Sequence, residues 1–144
     1  MAKQHEIVAE HEALRAHVAE LRTLITATPS NVARADLARR LAEAAARLRE
    51  RLGAHFALEE RGGYLDGVTA VRPGLQTTVD KLKRQHADLL GEADRLNVSL
   101  RNPALVPADA ARQVAHLLDH LTLHEIEENE LFQETVIDDL GAGD

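Results

Sequence analysis

The sequence contains no cysteine, which excludes disulfides, thiolate zinc sites, thiol nucleophiles and cysteine-ligated iron–sulfur clusters. Any metal held by this chain therefore takes nitrogen and oxygen ligands. Aromatic residues are nearly absent, with only Phe56, Phe132 and Tyr64. The apolar share of 44% is carried mostly by Ala, Leu and Val, a mix that belongs to helices rather than strands. Positive charge is also short. The net charge is −7 and the arginines are spread among acids, so there is no basic stripe to neutralise phosphates, and no nucleic-acid partner is expected. No run of about 18 apolar residues occurs, and the opening MAKQHEIVAEHE has no apolar core of a leader. The expectation is a soluble cytoplasmic protein with no membrane partner. Its 144 residues are enough for one ordinary domain with a real core.

Breakers divide the chain into four pieces. TPSN at 28 to 31, RGGYLDGVTAVRPG at 61 to 74 and NPALVP at 102 to 107 read as connections, and Pro73 and Pro107 suit the first turns of the helices that follow. Each remaining piece has helical apolar spacing. The expected fold is all-α, an up-down antiparallel four-helix bundle over residues 1–140, with GAGD at 141–144 as a frayed tail.

A 4-3 reading of each helix exposes the residues that break its apolar seam. The first helix runs Ile7, His11, Leu14, Val18, Leu21, Ile25. The second runs Leu41, Ala45, Leu48, Leu52, His55, Glu59. The third runs Leu75, Val79, Leu82, His86, Leu89, Ala93, Leu96, Leu100, and the fourth Val114, Leu117, Leu121, His124, Glu128, Leu131. A lone seam histidine such as His11 or His86 is most simply a hydrogen-bonded core residue. A seam glutamate is different, because burying an unpaired carboxylate costs several kcal/mol. No Lys or Arg occupies any of these seam positions, so the compensating charge points outside the protein. The i, i+4 spacing of His55 with Glu59, and of His124 with Glu128, puts each pair on one helix face a turn apart.

Axial levels test whether the six converge. His86 and His124 fall at similar heights in an antiparallel pair. His11 and His55 differ by about 10 Å at the helical rise of about 1.5 Å per residue, so either the second helix begins near Asp36 or it overhangs the first. Glu59 lies close to Gly62, which brings the glycine-rich connection close above the site. Four imidazoles and two carboxylates inside a bundle make a nitrogen-rich dinuclear site, in which carboxylates can bridge two metals and histidines cap each.

The pattern H…HxxxE…H…HxxxE, carried by His11, His55 with Glu59, His86, and His124 with Glu128, resembles the hemerythrin-like HHE cation-binding domains over essentially the whole chain. The words HFALEERGGYL and HEIEENELF are also similar to that family. The resemblance implies a bundle holding two iron ions, oxo- or hydroxo-bridged, with Glu59 and Glu128 as bridging carboxylates. Manganese is the second candidate metal. Two positions depart from the oxygen-carrying members: Leu90 stands where they have a second histidine of the third helix, and Asn129 where they have an aspartate. An imidazole fewer leaves room for a solvent ligand and argues against reversible oxygen carriage. Family members that repair iron–sulfur clusters carry a further cysteine-containing segment, which this sequence lacks.

The leading expectation is therefore a non-haem di-iron protein that binds dioxygen, peroxide or nitric oxide as a sensor, store or part of an oxidative or nitrosative stress response, as a monomer or weak dimer. An enzyme for peroxide disproportionation or nitric oxide reduction would use the same six residues and differs by turnover. A metal-free interaction bundle, whose polar seam residues only specify register, is the third reading. HEIVA and HEALR fail HExxH, which removes the zinc-protease reading. Of the other histidines, His5 and His17 are expected to face solvent. His116 and His120 precede His124 at i, i+4 spacing, and HxxxH can chelate metal, but the plainer reading is a flank beside the seam. Tyr64 either donates a hydrogen bond at the site or plugs the bundle end. Glu60, Glu125, Glu127 and Glu130 lie off the seam and read as solvated, with a role in orienting a ligand imidazole as the alternative.

Overall fold

The computed structural model describes the backbone of residues 2–26 and 33–142 and the side chains of residues 9–26 and 34–135. The expected turn at 28 to 31, the end of the tail and the side chains of His5 and Ile7 lie outside these. Five helices follow in order, α1 (Ala2–Thr26), α2 (Ala33–Arg61), α3 (Tyr64–Val71), α4 (Gln76–Leu100) and α5 (Pro107–Ala142), with a 3₁₀ turn at Pro73–Leu75. The long helices α1, α2, α4 and α5 each pack on two neighbours, α1 on α2 and α5, and α4 on the same two. This is the antiparallel up-down bundle that four amphipathic helices with short links form when each buries one stripe. Among the described residues no helix is long and apolar enough to cross a membrane.

The seams read from periodicity line the interior. Leu14 and Leu21 of α1, Leu48 and Leu52 of α2, Leu89 and Leu96 of α4, and Leu117 and Leu121 of α5 are buried in one continuous apolar cluster. Each such leucine stabilises the fold by about 1.5–3 kcal/mol relative to exposure. Off the seams, arginines pair with acids on the surface, as in Arg47 with Glu20 at 2.6 Å and Arg49 with Asp94 at 2.7 Å. Exposed pairs of this kind contribute about 0–1 kcal/mol each.

α2 begins at Ala33, three residues before Asp36, and the expected axial mismatch does not keep His11 from His55, whose ring centres are 4.7 Å apart. Its other end stops on two glycines. The Gly62 N–H donates to Leu58 O at 3.0 Å and Gly63 takes a left-handed φ of 81°, a geometry open to glycine at little cost. A Cβ on Gly62 would sit 2.2 Å from the Leu58 carbonyl oxygen.

The connection from 61 to 74 is more than a loop. Residues 64–71 form α3, whose Leu65 and Val68 are buried with Val79, Leu82 and Leu131 in a second apolar cluster, against which Leu75 and Phe132 pack. The segment YLDGVTAV contains a glycine and β-branched residues and has weak helical propensity, so burial of one face holds it helical. The bundle interior thus has a large apolar core toward one end and a small apolar cap at the other.

Candidate metal centre

The level between core and cap is polar. His11 of α1, His55 and Glu59 of α2, His86 of α4, and His124 and Glu128 of α5 are all buried, Glu59 to 0% and Glu128 to 1% exposure. Helical periodicity delivers them there, since each occupies a position of its helix's apolar seam.

The donors converge. His11 Nε2 lies 3.2 Å and His55 Nε2 3.9 Å from Glu128 Oε1, and His55 Nε2 lies 3.1 Å from Glu59 Oε1. His124 Nε2 is 2.9 Å and His86 Nε2 3.5 Å from Glu128 Oε2, while His86 Nε2 is also 3.5 Å from Glu59 Oε1. Two groups that could hold a metal ion result, His11, His55, Glu59 and Glu128, and Glu59, His86, His124 and Glu128, each with its ligand atoms within 4.8 Å of one another. Both carboxylates belong to both groups, and each group has its own pair of imidazoles.

These atoms are close without being satisfied. Both oxygens of Glu59, Oε2 of Glu128, and Nε2 of His86 and of His124 are buried and have no aligned hydrogen-bond partner. No lysine or arginine pairs with Glu59 or Glu128 among the described residues; every basic partner within 4 Å is an imidazole. Burial pushes the Glu59 carboxyl up to about 12, and the adjoining Glu128 carboxylate adds to the effect. Burial acts on Glu128 in the same sense but is outweighed by Glu59, His11, His124 and His86, which hold it well below the usual carboxylate range. Burial also depresses His55 to about 4 against the pull of Glu128, so its imidazole is neutral with a lone pair available. Two buried carboxyl groups facing four imidazoles, with no Lys or Arg beside them among the described residues, are a donor set that fits bound metal.

Outer groups orient two of the four rings. His86 Nδ1 stands 2.8 Å from Glu60 Oε2, and His124 Nδ1 stands 2.7 Å from Gln85 Oε1. Because carboxylate and amide oxygens only accept, both imidazoles donate from Nδ1, which leaves Nε2 of each directed to the centre. Gln85 in turn donates to Glu127 Oε2 at 2.8 Å, a bond that lowers the Glu127 carboxyl. Glu60 and Glu127, read from sequence as solvated, thus anchor the His86 and His124 rings, directly and through Gln85. Glu130 is exposed and Glu125 half-buried.

Phe56 closes the core side. Its ring stacks on His86 at 3.9 Å and 6°, and meets His124 edge-on at 5.5 Å and 75°. Sequence reading missed it because Phe56 lies beside the seam residue His55 rather than on the seam. On the cap side Tyr64 opens α3 and packs edge-on against Phe132, ring centres 4.5 Å apart, as the plug reading expects. Burial, then the charges of Glu59 and Glu128, raise its phenol, which keeps the hydroxyl protonated near the carboxylates. Leu90 is partly buried against the large core and Asn129 is half-buried. His17, expected to face solvent, is half-buried. His116 and His120 stand on the outer surface.

A family model described as Hemerythrin HHE cation binding domain matches residues 2–136. No curated protein and no solved structure matches the chain.

Proposed function

The chain belongs to the hemerythrin HHE cation-binding family, and we propose that it is a non-haem di-iron protein that engages dioxygen, peroxide or nitric oxide as a sensor, store or stress-response protein. The observation that carries this reading is the sharing of Glu59 and Glu128 by both donor groups, each completed by its own two imidazoles. On this reading His11 and His55 would hold one iron and His86 and His124 the other, with Glu59 and Glu128 available to both. A metal-free bundle would leave two carboxylates buried against imidazoles with several orphaned donor atoms, at a cost of several kcal/mol.

Bound iron supplies open coordination positions and one-electron redox chemistry. The remaining work falls to the chain. Glu60 and Gln85 fix the tautomers of His86 and His124. Phe56 on one side and the α3 cap on the other exclude bulk water, and Tyr64 keeps a phenolic proton near the carboxylates. With four protein donors in each group, an ion that takes up to six ligands has room for a small exogenous one.

Iron-loaded protein titrated with azide and with nitric oxide should show saturable changes in its optical spectrum, and Leu90→His, which offers a third imidazole one turn from His86, should slow azide exchange. A spectrum indifferent to both ligands overturns the reading. The enzyme alternative uses the same residues and is separated by turnover, read as oxygen evolution from peroxide or consumption of nitric oxide under reductant.

A further inference from the structure

Outside the buried centre, a second constellation of histidine and carboxylate crosses from α4 to α5. His116 and His120 are a turn apart on α5, with ring centres 4.1 Å apart, and Glu92 of α4 reaches between the helices to meet them. Glu92 Oε2 accepts from His120 Nδ1 at 2.8 Å, and Glu92 Oε1 lies 3.9 Å from His116 Nε2. The three fall within a single metal-sized group.

Three features separate this from an ordinary surface cluster. Glu92 is 21% exposed while the histidines are 45% and 66% exposed, so the carboxylate is drawn back under two imidazoles that stand in solvent. Its Oε1 is buried and has no hydrogen-bond partner, and 3.9 Å is too long for a hydrogen bond to His116. No lysine or arginine pairs with it among the described residues, so its partners are the two imidazoles alone. Glu92 Oε1 and His116 Nε2 thus face each other at a separation that two ligands of one cation could adopt.

We propose that Glu92, His116 and His120 form a second, solvent-facing site for a single divalent transition cation of the zinc type, separate from the buried centre. Two imidazoles and a carboxylate are three protein ligands of borderline softness, which suit zinc and leave a fourth position to water. Exposure of both histidines makes the site accessible without opening the bundle, so its ion exchanges rapidly and binds more weakly than one held in the interior. The spacing His116, His120, His124, Glu128 along α5 carries exposure from 66% and 45% down to 4% and 1%, so the two sites share a helix and differ in contact with water.

The test is zinc titration of full-length protein by calorimetry, with iron content measured before and after. Wild type should take up one zinc equivalent more than a His116→Ala/His120→Ala variant, with iron content unchanged. Glu92→Gln should weaken that equivalent by at least the roughly 10- to 100-fold that loss of even an outer partner costs a metal site. Circular dichroism and the thermal midpoint of the double variant should match wild type, since both histidines are exposed. Equal zinc stoichiometry and affinity in wild type and the double variant overturns the proposal, as does zinc uptake matched by iron release. The difference between the two proteins decides the matter whatever metal the buried centre holds.

Discussion

The α4–α5 interface carries two histidine–glutamate groups built at the same helical spacing, one inside the bundle and one on its surface. At the inner level His124 and Glu128 are nearly inaccessible, whereas at the outer level His116, His120 and Glu92 stand partly in water. The donor chemistry is nearly the same, and the energetic meaning is opposite. Water pays most of the cost of charge at the outer group, so the fold tolerates it with or without an ion. At the inner group burial keeps Glu59 protonated and leaves Glu128 with only imidazoles and that carboxyl beside it, so the stability of the bundle should depend on what binds there.

The largest effect should come from removing an inner carboxylate. In metal-loaded protein Glu128→Leu should lose metal together with its linkage stabilisation, about 4 kcal/mol for a ligand at about 1,000 times its Kd. In metal-free protein the same change removes a buried carboxylate held only by imidazoles and the Glu59 carboxyl, and the loss of stability should be smaller than in the loaded protein. Exposed Glu130→Leu should show neither effect. Denaturation midpoints with and without chelator read all of these, and equal destabilisation of loaded and metal-free Glu128→Leu would break the contrast.

The pH dependence should change sign with metal. Without metal, burial holds His55 near 4 against an ordinary 6.5, so its contribution is present above pH 6.5 and lost as pH falls through 4. Glu59 is pushed from 4.5 to about 12, so its contribution is complete below pH 4.5 and is lost progressively as pH rises. Above pH 6.5 only the second change operates, and metal-free stability should fall with rising pH by up to about 1.4 kcal/mol per unit. Loaded protein should instead lose stability as pH falls, because protons compete for the ligands. Chemical denaturation of both forms from pH 6.5 to 9 tests this, and parallel slopes would contradict it.

A smaller effect is expected one shell out. Gln85→Leu frees the His124 ring and should weaken metal binding by roughly 10- to 100-fold, while metal-free stability changes by about 1 kcal/mol, the net worth of a hydrogen bond. Chelator competition against wild type measures it. The smallest effect belongs to the surface: His120→Ala should alter the stability of metal-free protein by no more than about 0.5 kcal/mol, read from the thermal midpoint. A larger loss would mean that the outer group is part of the packing.

How much of this was legible follows from the same contrast. His55 with Glu59 and His124 with Glu128 stood out because a carboxylate on a leucine seam violates a periodicity that the rest of each helix obeys. Glu60, Gln85 and Glu127 obey it, sitting beside the seam where charge is ordinary, and only the rotation of neighbouring helices brings them to the ligand rings. α3 was hidden for another reason: YLDGVTAV has little helical propensity, and its order comes from contacts of Leu65 and Val68 with residues far along the chain. HxxxH at His116 and His120 was visible, but Glu92 lies on another helix, and its approach depends on a register that no single stripe encodes.

The central claim is that the six buried residues hold two metal ions bridged by two carboxylates. Crystals of iron-loaded protein measured at the iron absorption edge test it most directly. The account predicts two anomalous peaks per chain, one between His11 and His55, the other between His86 and His124, both in contact with Glu59 and Glu128. A single peak, or iron held away from either glutamate, would contradict it.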